Sequence, residues 1–343
     1  MRYAAFLTTS IHDPINQGIL TPMKIIIVGK NGLLGGALIR HAVSLNMCEG
    51  RNFVSLDLPD FDVTSRRFAL ETMSELKPEV IINTVGVTMI DWLEKKPNTA
   101  RTIHVQGTAN LREAAKRNDA LLVQISCAEV FGQVQSAECR VQSERSSEYR
   151  NENHSELCTL NSELDSFSPF SEEITPEPVS VYAKTKLDGE RAASEAPRHL
   201  IVRTGPLFGM VGERSAGNLV ETLLNSLRRS EKMSVINDQW ASYSWGDDLA
   251  RAIFALIERD CTGLYHVANA GMASPFDIAQ ELARQTGIRR EYESITADDY
   301  GFVAPRAKYT VLDTSKYDAV EGIVKLPDWQ TALDAYLASR NVI

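Results

Sequence analysis

Short runs of aliphatic residues alternate with segments in which apolar residues recur at helical spacing. The runs contain few polar residues, which is typical of strands that are buried on both faces of a parallel sheet. Five strands are predicted in this way, Lys24–Val28, Phe53–Leu56, Val80–Val85, Leu121–Ser126 and His199–Thr204. The segments between them predict helices over Leu33–Leu45, about Asn98–Lys116 and Tyr182–Ala193. The alternation predicts an α/β fold with a doubly wound parallel sheet (Rossmann) and right-handed crossovers.

The pattern changes at two places. Residues from about 133 to 168 are rich in Ser, Glu and Asn, and predict a polar insertion that forms a loop, with a lid over a site as the alternative. After Thr204 the strands become short, and helices are expected at Asn218–Arg229, Trp245–Glu258, Pro275–Thr286 and Asp328–Ser339. We therefore predict a dinucleotide-binding domain from 23–204 plus about 237–268. A smaller, mainly helical substrate-binding domain would take 205–236 plus 269–343, and 1–22 would be a disordered extension before a working start at Met23.

Composition excludes several classes of protein. Of the 343 residues, 43% are hydrophobic and 24% charged, as in an ordinary soluble globular protein, and no apolar run approaches the length of about 20 residues that spans a membrane. The net charge of −9 argues against nucleic acid or an anionic membrane surface as a partner. The five cysteines have no spacing suited to zinc and an odd count, so we expect reduced thiols in a cytoplasmic protein and no metal site. A homodimer is compatible with everything in the sequence.

A glycine-rich turn follows the first predicted strand and opens the first helix. Its glycines, Gly29, Gly32 and Gly35, let the backbone turn tightly and approach a pyrophosphate, whose charge is then held by amides at the helix N-terminus. In this strand–turn–helix context the turn predicts dinucleotide binding, with Asn31, Leu33 and Leu34 as further contacts.

Acidic residues follow the second strand. Asp57 stands where a carboxylate accepts hydrogen bonds from the adenosine ribose, and its charge would repel a 2′-phosphate and favour NAD. A solvated turn acid is the alternative for Asp57. Asp62 and Val63 lie where a contact with the adenine edge is expected.

Tyr182 and Lys186 are four residues apart and therefore share one face of a predicted helix. A phenol with a pKa near 10 is a poor acid or base at neutral pH. A neighbouring ammonium group, helped by oxidised nicotinamide, is expected to lower the phenol pKa. Combined with the glycine turn, the pair predicts hydride-transfer chemistry.

The chain resembles the dTDP-4-dehydrorhamnose reductases, a family of extended short-chain dehydrogenase/reductases that bind nucleotide sugars. The resemblance runs from Met23 to about Leu337 without the polar insertion. Besides the glycine turn and the segment around Tyr182, the family-like segments are Pro78–Asn83, His199–Thr204, Val235–Gln239, Gly263–His266, Leu312–Lys316 and Leu326–Trp329.

The resemblance implies a role for individual residues. Tyr182 would protonate the C4 carbonyl oxygen of a nucleotide-linked 4-keto-6-deoxy sugar while NADH or NADPH delivers hydride, and Lys186 would orient the nicotinamide ribose. Asn83, Thr88 and Ser126 would belong to the cofactor site. The substrate would be contacted by Asp91, Cys127, Asn218, Asp238 and Gln239, with Arg306 as the candidate for its diphosphate.

The sequence departs from the family pattern on the substrate side. Cys127 stands where the family has its catalytic Ser or Thr, and a thiol is a weaker hydrogen-bond donor than a hydroxyl. His104 stands for the usual Asn, and Gly205-Pro206 replaces a Ser-Trp pair that would provide an aromatic platform. Of the Arg-Arg-Pro motif that the family has before the segment Leu312–Lys316, only Arg306 remains.

Three functions stay open on this basis. The first is reduction of dTDP-4-dehydro-L-rhamnose or a similar substrate in dTDP-rhamnose and surface polysaccharide biosynthesis. The second is epimerisation of a nucleotide sugar; dehydration is disfavoured, because Ala128 replaces the acid that dehydratases place before the residue equivalent to Glu129. The third is a non-catalytic, NAD(P)-binding regulatory role like that of the methionine adenosyltransferase regulatory subunit, which the intact Tyr182 and Lys186 weigh against.

Overall fold

A six-stranded, wholly parallel sheet forms the centre of the protein. In this computed structural model, residues 23–47, 52–132, 168–210, 217–229, 233–288 and 292–342 are described. The strands of this sheet are β1 Ile25–Val28, β2 Phe53–Leu56, β3 Val80–Asn83, β4 Leu121–Cys127, β5 His199–Thr204 and β10 Gly263–His266. Their order across the sheet is β10-β5-β4-β3-β1-β2. This order confirms the predicted doubly wound α/β fold.

Helices cover both faces of the sheet. They are α1 Leu33–Ser44, α2 Arg66–Leu76, α3 Ile90–Glu94, α4 Pro97–Arg101, α5 Gly107–Asn118, α6 Val181–Ser194 and α8 Gly246–Glu258. On one face α1 and α8 pack on Ile25, Ile27 and Val123, and on the other α2 and α5 pack on Ile26 and Ile81. Because aliphatic side chains alternate between two apolar layers, the strands read as nearly unbroken hydrophobic runs.

The remaining elements build a second apolar cluster beside the sheet. The helices are α7 Leu219–Arg229, α9 Pro275–Thr286, α10 Ala297–Tyr300, α11 Ser315–Asp318 and α12 Trp329–Ser339. The strands β6 Leu207–Phe208, β7 Met233–Ile236, β8 Trp240–Ala241, β9 Ser244–Trp245, β11 Tyr292–Ile295 and β12 Tyr309–Thr310 pair in three two-stranded sheets. Phe208, Leu224, Leu282 and Tyr336 are among the buried residues of this cluster.

The predicted helices agree with the structure to within a few residues, but α2 and the short helices α3, α10 and α11 are absent from the predictions. Helix α2 gives a weak signal, because only Ala69, Leu70 and Met73 are buried in a segment of mostly polar residues. The helix predicted from about Asn98 is interrupted by one π-helical turn over Thr102–Gln106, which joins α4 to α5. The predicted polar insertion and the residues before Met23 lie outside the described residues. No helix in the described ranges is long and apolar enough to cross a membrane.

Candidate active site

A cavity of about 490 Å³ opens at the carboxyl ends of the central strands, where doubly wound sheets bind their ligands. The loops that follow β1, β3, β4 and β5 contribute to its wall, together with one face of α6 and the start of α7. Its lining includes Gly32, Leu33, Leu34, Gly35, Thr84, Gly86, Thr88, Ser126, Cys127, Glu129, Tyr182, Lys186, Gly205 and Asn218. Residues predicted separately for cofactor and for substrate therefore meet around one space.

The glycine turn at the start of α1 is tight enough to exclude side chains. Gly29 has a φ of +101°, and a Cβ placed on Gly35 would lie 2.1 Å from the carbonyl oxygen of Gly29. The Thr84 hydroxyl approaches the same turn from β3 and donates to Val28 O at 2.9 Å. The main chain at the N-terminus of α1 is thus exposed to a ligand without intervening side chains.

Asp57 lies beside this turn, at the end of β2. One carboxylate oxygen accepts the amide of Asn31 at 2.9 Å, and the other accepts the amide of Leu58 at 2.7 Å. The carboxylate therefore links the second strand to the glycine turn, and Asp57 is more than a solvated turn acid.

Six residues predicted for the cofactor do not line the cavity, namely Gly29, Asn31 and Asp57 in and beside the glycine turn, and Asp62, Val63 and Asn83. Asp62 accepts the amide and hydroxyl of Thr64 in its own turn, and the carbonyl of Val63 accepts the side-chain amide of Asn110 at 2.9 Å. Asn83 is 2% exposed and donates to Gln124 at 2.8 Å inside the sheet. These contacts fix local structure, and the ligand contacts predicted for these residues stay predictions.

Tyr182 and Lys186 lie on the cavity face of α6, and both are buried. Ser180 caps the helix by accepting the amide of Ala183. The helix therefore begins at Val181, and Tyr182 lies in its first turn. The Lys186 ammonium donates to the carbonyl of Ile125 at 2.7 Å, and the Tyr182 hydroxyl is hydrogen-bonded to the Cys127 thiol. Cys127 thus occupies the position beside the phenol that the family resemblance assigns to a hydroxyl.

The ionisation of these groups differs from the prediction. Burial raises the pKa of Tyr182 well above its usual value, and the neighbouring Cys127 and Glu129 raise it further. Burial likewise lowers the pKa of Lys186 and raises that of Cys127 to about 11. The predicted lowering of the phenol pKa is therefore wrong for the protein alone, because desolvation and the neighbouring Cys127 and Glu129 all act in the opposite direction.

Ser126 is held by a buried ion pair. Its hydroxyl donates to Glu190 at 2.5 Å, and Glu190 also binds Arg203 of β5 through two hydrogen bonds of 2.9 and 2.7 Å. Both side chains of the ion pair are at most 6% exposed. Because Ser126 is committed to this network, it is not free to replace the hydroxyl that Cys127 lacks.

His104 lies in the π-helical turn and contacts both sides of the site. Nδ1 is 2.9 Å from the Thr185 hydroxyl, and Nε2 accepts the amide of Val87 at 3.2 Å. The Thr185 hydroxyl donates to the main chain of its own helix, so Nδ1 carries the proton. Burial and, to a smaller extent, the charge of Lys186 lower the pKa of His104 to about 3, so the ring is neutral. A neutral ring here joins the loop after β3 to the helix of Tyr182.

Glu129 lines the cavity, although no role in reduction is predicted for it from the sequence. It follows β4 in a short 3₁₀ turn, Ala128–Val130, and burial raises the pKa of its carboxyl although Arg306 opposes the shift. The available signal was its match to the glutamate that dehydratases place two residues after the position of Cys127.

Of the residues predicted for the substrate, Cys127 and Asn218 line the cavity, whereas Asp91, Asp238, Gln239 and Arg306 are not part of its lining. Asn218 lines the cavity and accepts the amide of Glu221 at the start of α7. Asp91 accepts the Arg306 guanidinium at 2.9 Å; burial alone would raise the Asp91 pKa, but hydrogen bonds from Ala304 and Arg306 hold it below its usual value. Arg306 also stacks on a ring, with its guanidinium carbon 4.5 Å from the centroid of Phe302.

Asp238 and Gln239 lie apart from the described cavity wall. Asp238 accepts the amide of Ala297 at 2.7 Å and pairs with Lys308 at 3.2 Å, which ties two loops of the second cluster together. Gln239 is half-buried next to it. Their predicted substrate contacts stay predictions.

The residue directly after β5 has no room for a side chain. A Cβ on Gly205 would lie 1.7 Å from the carbonyl oxygen of Ser242, so the chain after β5 can accommodate only glycine there. Pro206 then lines the cavity where the family resemblance places a ring. Within the described residues, no group of three or more His, Cys, Asp or Glu side chains could hold a metal ion.

Comparisons with known proteins agree with this geometry. The chain is 28% identical over 323 residues to a dTDP-4-dehydrorhamnose reductase of Mycolicibacterium smegmatis. This alignment covers 92% of this chain and 85% of the relative. It is 27% identical over 331 residues to the Escherichia coli enzyme of that name, with 92% and 97% covered.

Solved structures show the same likeness. A dTDP-4-dehydrorhamnose reductase of Clostridium acetobutylicum superposes with a TM-score of 0.77 at 28% identity, over 93% of this chain and all of the other. The enzyme of that name from Bacillus anthracis, solved in complex with NADP, has a TM-score of 0.77 at 25% identity, over 92% and 99% of the two chains. The family model described as the RmlD substrate binding domain matches residues 23–342. The chain belongs to this RmlD family.

Proposed function

We propose that this protein is an NAD(P)H-dependent reductase of a nucleotide-linked 4-keto-6-deoxy sugar, of the dTDP-4-dehydrorhamnose type. The observation that carries the proposal is the meeting of the glycine turn and the Tyr182/Lys186 pair around one cavity. The named relatives support the same substrate class and a place in dTDP-rhamnose or polysaccharide biosynthesis.

The site fits a dinucleotide cofactor on its own geometry. Gly32, Leu33, Leu34 and Gly35 line the cavity at the N-terminus of α1, where main-chain amides would hold a pyrophosphate, and the Asp57 carboxylate beside the turn would accept the ribose hydroxyls. When bound, NADH or NADPH supplies the hydride. Leu33, Thr88 and Lys186 line the same cavity and would hold the rest of the molecule.

Reduction also needs a proton for the carbonyl oxygen. Tyr182 keeps its proton through the neutral range, because burial raises its pKa, so it can donate to the oxyanion that hydride addition creates. The Cys127 thiol, hydrogen-bonded to the phenol, is also protonated and can act only as a weak second donor.

The proposal is tested by following oxidation of NADH and NADPH with dTDP-4-dehydrorhamnose. We expect turnover, and we expect Tyr182→Phe to lower kcat by roughly a hundred- to ten-thousandfold, as for loss of a general acid, with cofactor binding retained. Cofactor binding without oxidation by any 4-keto sugar nucleotide would instead support the regulatory alternative. A homodimer and a cytoplasmic location remain predictions from the sequence.

A further inference from the structure

A buried carboxylate lies one helical turn beyond Lys186 and takes no direct part in the proposed reduction. Tyr182, Lys186 and Glu190 are spaced by four residues, so they follow one another along the same buried face of α6. Tyr182 and Lys186 line the cavity, whereas Glu190 is not part of its lining. The row of side chains therefore runs from the cavity into the protein interior, and Glu190 stands at its inner end.

This row is fixed against the end of β4. The groups of β4 that bind Tyr182, Lys186 and Glu190 are the Cys127 thiol, the Ile125 carbonyl and the Ser126 hydroxyl, respectively. Consecutive Cα atoms are about 3.8 Å apart, so the carboxylate and the ammonium group bind atoms of neighbouring residues. A displacement of Glu190 would therefore shift the same strand end that carries Cys127 and accepts the ammonium group.

Arg203 holds the Glu190 carboxylate in place from the neighbouring strand. It is the register partner of Ser126, and it donates to both carboxylate oxygens. The rest of its guanidinium group contacts uncharged rings, since its carbon lies 5.1 Å from the centroid of Phe131 and Nη1 is 3.5 Å from His266 Nε2. The His266 ring is neutral because burial lowers its pKa to about 4. Desolvation offsets much of the attraction in a buried ion pair, so stability alone does not explain this pair.

The charge of Glu190 acts on Lys186. Burial lowers the pKa of the Lys186 ammonium group, and Cys127 and Glu190 oppose that shift. Because burial raises the pKa of the Cys127 thiol to about 11, Glu190 is the one of these two groups that carries a negative charge at neutral pH. The Tyr182 phenol and the His104 ring, which also face the ammonium group, are uncharged, because burial raises the phenol pKa and lowers the ring pKa.

We propose that Glu190 is a positioning residue of the reductase, which keeps Lys186 in its ammonium form and fixes the end of β4 through Ser126. The proposal rests on the proposed function, because both effects act on the transfer of a proton from Tyr182. Donation of that proton leaves a phenolate, which a neighbouring ammonium group stabilises and a neutral amine does not. An uncharged Lys186 would also bind the cofactor ribose less strongly, because charge-assisted hydrogen bonds are the stronger ones.

The test compares pH profiles of kcat/KM for reduction of dTDP-4-dehydrorhamnose, measured between about pH 6 and pH 10. Without the Glu190 charge, Lys186 loses its proton at lower pH. We therefore expect Glu190→Gln to move the alkaline limb of the profile down by about one pH unit, a loss of about tenfold on that limb. Glu190→Asp keeps the charge and should keep the limb close to that of the parent. Asp188→Asn, which removes a surface ion pair of the same helix, is the matched control and should not move it.

A second variant separates charge from folding. Glu190→Gln leaves the buried Arg203 guanidinium group without its partner, so this variant is expected to be less stable. The double variant, Glu190→Gln with Arg203→Met, removes both charges and should show the same displacement of the alkaline limb. Melting temperatures are measured for all variants, together with the affinity for NADH as a function of pH. In both variants this affinity should decline at lower pH than in the parent, because Lys186 contacts the cofactor in the proposed complex.

The outcomes separate this inference from the proposed function. Reduction with an unmoved alkaline limb in both variants overturns the role of Glu190 and leaves the reductase proposal standing. A loss of activity that is equal at every pH and follows the melting temperature assigns Glu190 a structural role only, and also overturns the inference. If the parent reduces no 4-keto sugar nucleotide, the reductase proposal fails and the NADH affinity profile decides. A displaced profile in both variants then supports the action of Glu190 on Lys186, and an unmoved one overturns it.

Discussion

At the residue scale, the unusual feature of this site is a thiol next to the catalytic phenol. Cys127 is buried and hydrogen-bonded to Tyr182, and burial raises its pKa to about 11. The thiol is therefore neutral at physiological pH, so it is a poor nucleophile and a weak hydrogen-bond donor. Its role in the reaction is therefore limited to donating a weak hydrogen bond to the carbonyl oxygen of the substrate.

Replacing Cys127 by serine is expected to raise kcat for ketone reduction. A hydroxyl donates a stronger hydrogen bond to the developing oxyanion, and a gain of about 1 kcal/mol corresponds to roughly fivefold in rate. Steady-state rates of Cys127→Ser and Cys127→Thr against the parent measure the effect, with Cys261→Ser, a partly exposed cysteine elsewhere, as the control. An unchanged rate in both variants would show that thiol donation does not limit turnover.

The choice between NADH and NADPH is a second prediction at this scale. Because Asp57 holds a carboxylate at the glycine turn, we expect higher kcat/KM with NADH. Asp57→Asn keeps an oxygen that can accept the Asn31 amide but removes the charge, and should shift the ratio towards NADPH by about fivefold, for roughly 1 kcal/mol of repulsion. Asp60→Asn, exposed in the same loop, is the matched control and should not shift it. Equal ratios in all three proteins would contradict this role for Asp57.

Site residues that are neighbours on one helix could be predicted from the sequence. Contacts between residues that are distant in the sequence could not. Tyr182 and Lys186 share a helical face by sequence alone. Asp238 and Asn83 carry the expected polar groups, but contacts with Ala297 and Gln124, far away in the sequence, engage them. Glu129 shows the reverse case, because no role in reduction is predicted for it from the sequence, yet the turn after β4 brings it to the cavity wall.

At the scale of single elements, the glycine turn and the start of α1 set the cofactor site. Aliphatic strands and helices with a clear apolar face were found from the pattern, because burial on two faces or one leaves a distinct period. Helix α2 and the π-helical turn were missed. The first buries few residues, and the second depends on the packing of His104 between Val87 and Thr185.

Two adjacent glycines of α1 should respond differently to alanine. Gly35→Ala places a Cβ 2.1 Å from main-chain oxygen, so we expect loss of cofactor binding together with a lower melting temperature. Gly36→Ala meets only the flexible end of Arg40, 3.4 Å away, and should be neutral or stabilising by up to about 1 kcal/mol. Cofactor titration and thermal unfolding of both variants provide the comparison. Wild-type affinity and melting temperature in Gly35→Ala would contradict the tight contact between Gly35 and the main chain of Gly29.

At the scale of the whole molecule, the sheet and its helical layers followed from the sequence, and the class of fold is confirmed. The division into two domains stays a prediction. Strand β10 nevertheless shows why boundaries cannot be taken from one continuous stretch, since Gly263–His266 pairs with His199–Thr204 across an intervening region that builds the second cluster. Such pairing depends on contacts between distant parts of the chain, which local patterns do not encode.

Global stability is expected to fall on acidification through the neutral-to-acid range. Burial lowers the pKa of His104 to about 3 and that of His266 to about 4, so between pH 6.5 and about 4 the unfolded chain binds protons that the folded protein does not. The contribution of the two histidines to the free energy of unfolding is fully present above pH 6.5. Below that pH it decreases, by up to about 1.4 kcal/mol per pH unit for each histidine.

Denaturant unfolding at several pH values tests this expectation. His104→Asn removes one of the two groups, and the change of unfolding free energy between pH 6.5 and 4.5 should correspond to one proton fewer than in the parent. A variant with the same pH dependence as the parent would mean that His104 is protonated in the folded state.

The pairing of β10 with β5 also has a consequence for how the protein is made. A chain that has left the ribosome only as far as Thr204 presents the whole length of β5 as an open, apolar edge, and unpaired strand edges recruit other chains. The layer on one face of the sheet closes later still, because Tyr317 belongs to it. Premature stop codons before β10 should therefore yield fragments that aggregate. Correct folding of the full chain in the cell depends on fast translation or on chaperones that cover the edge of β5.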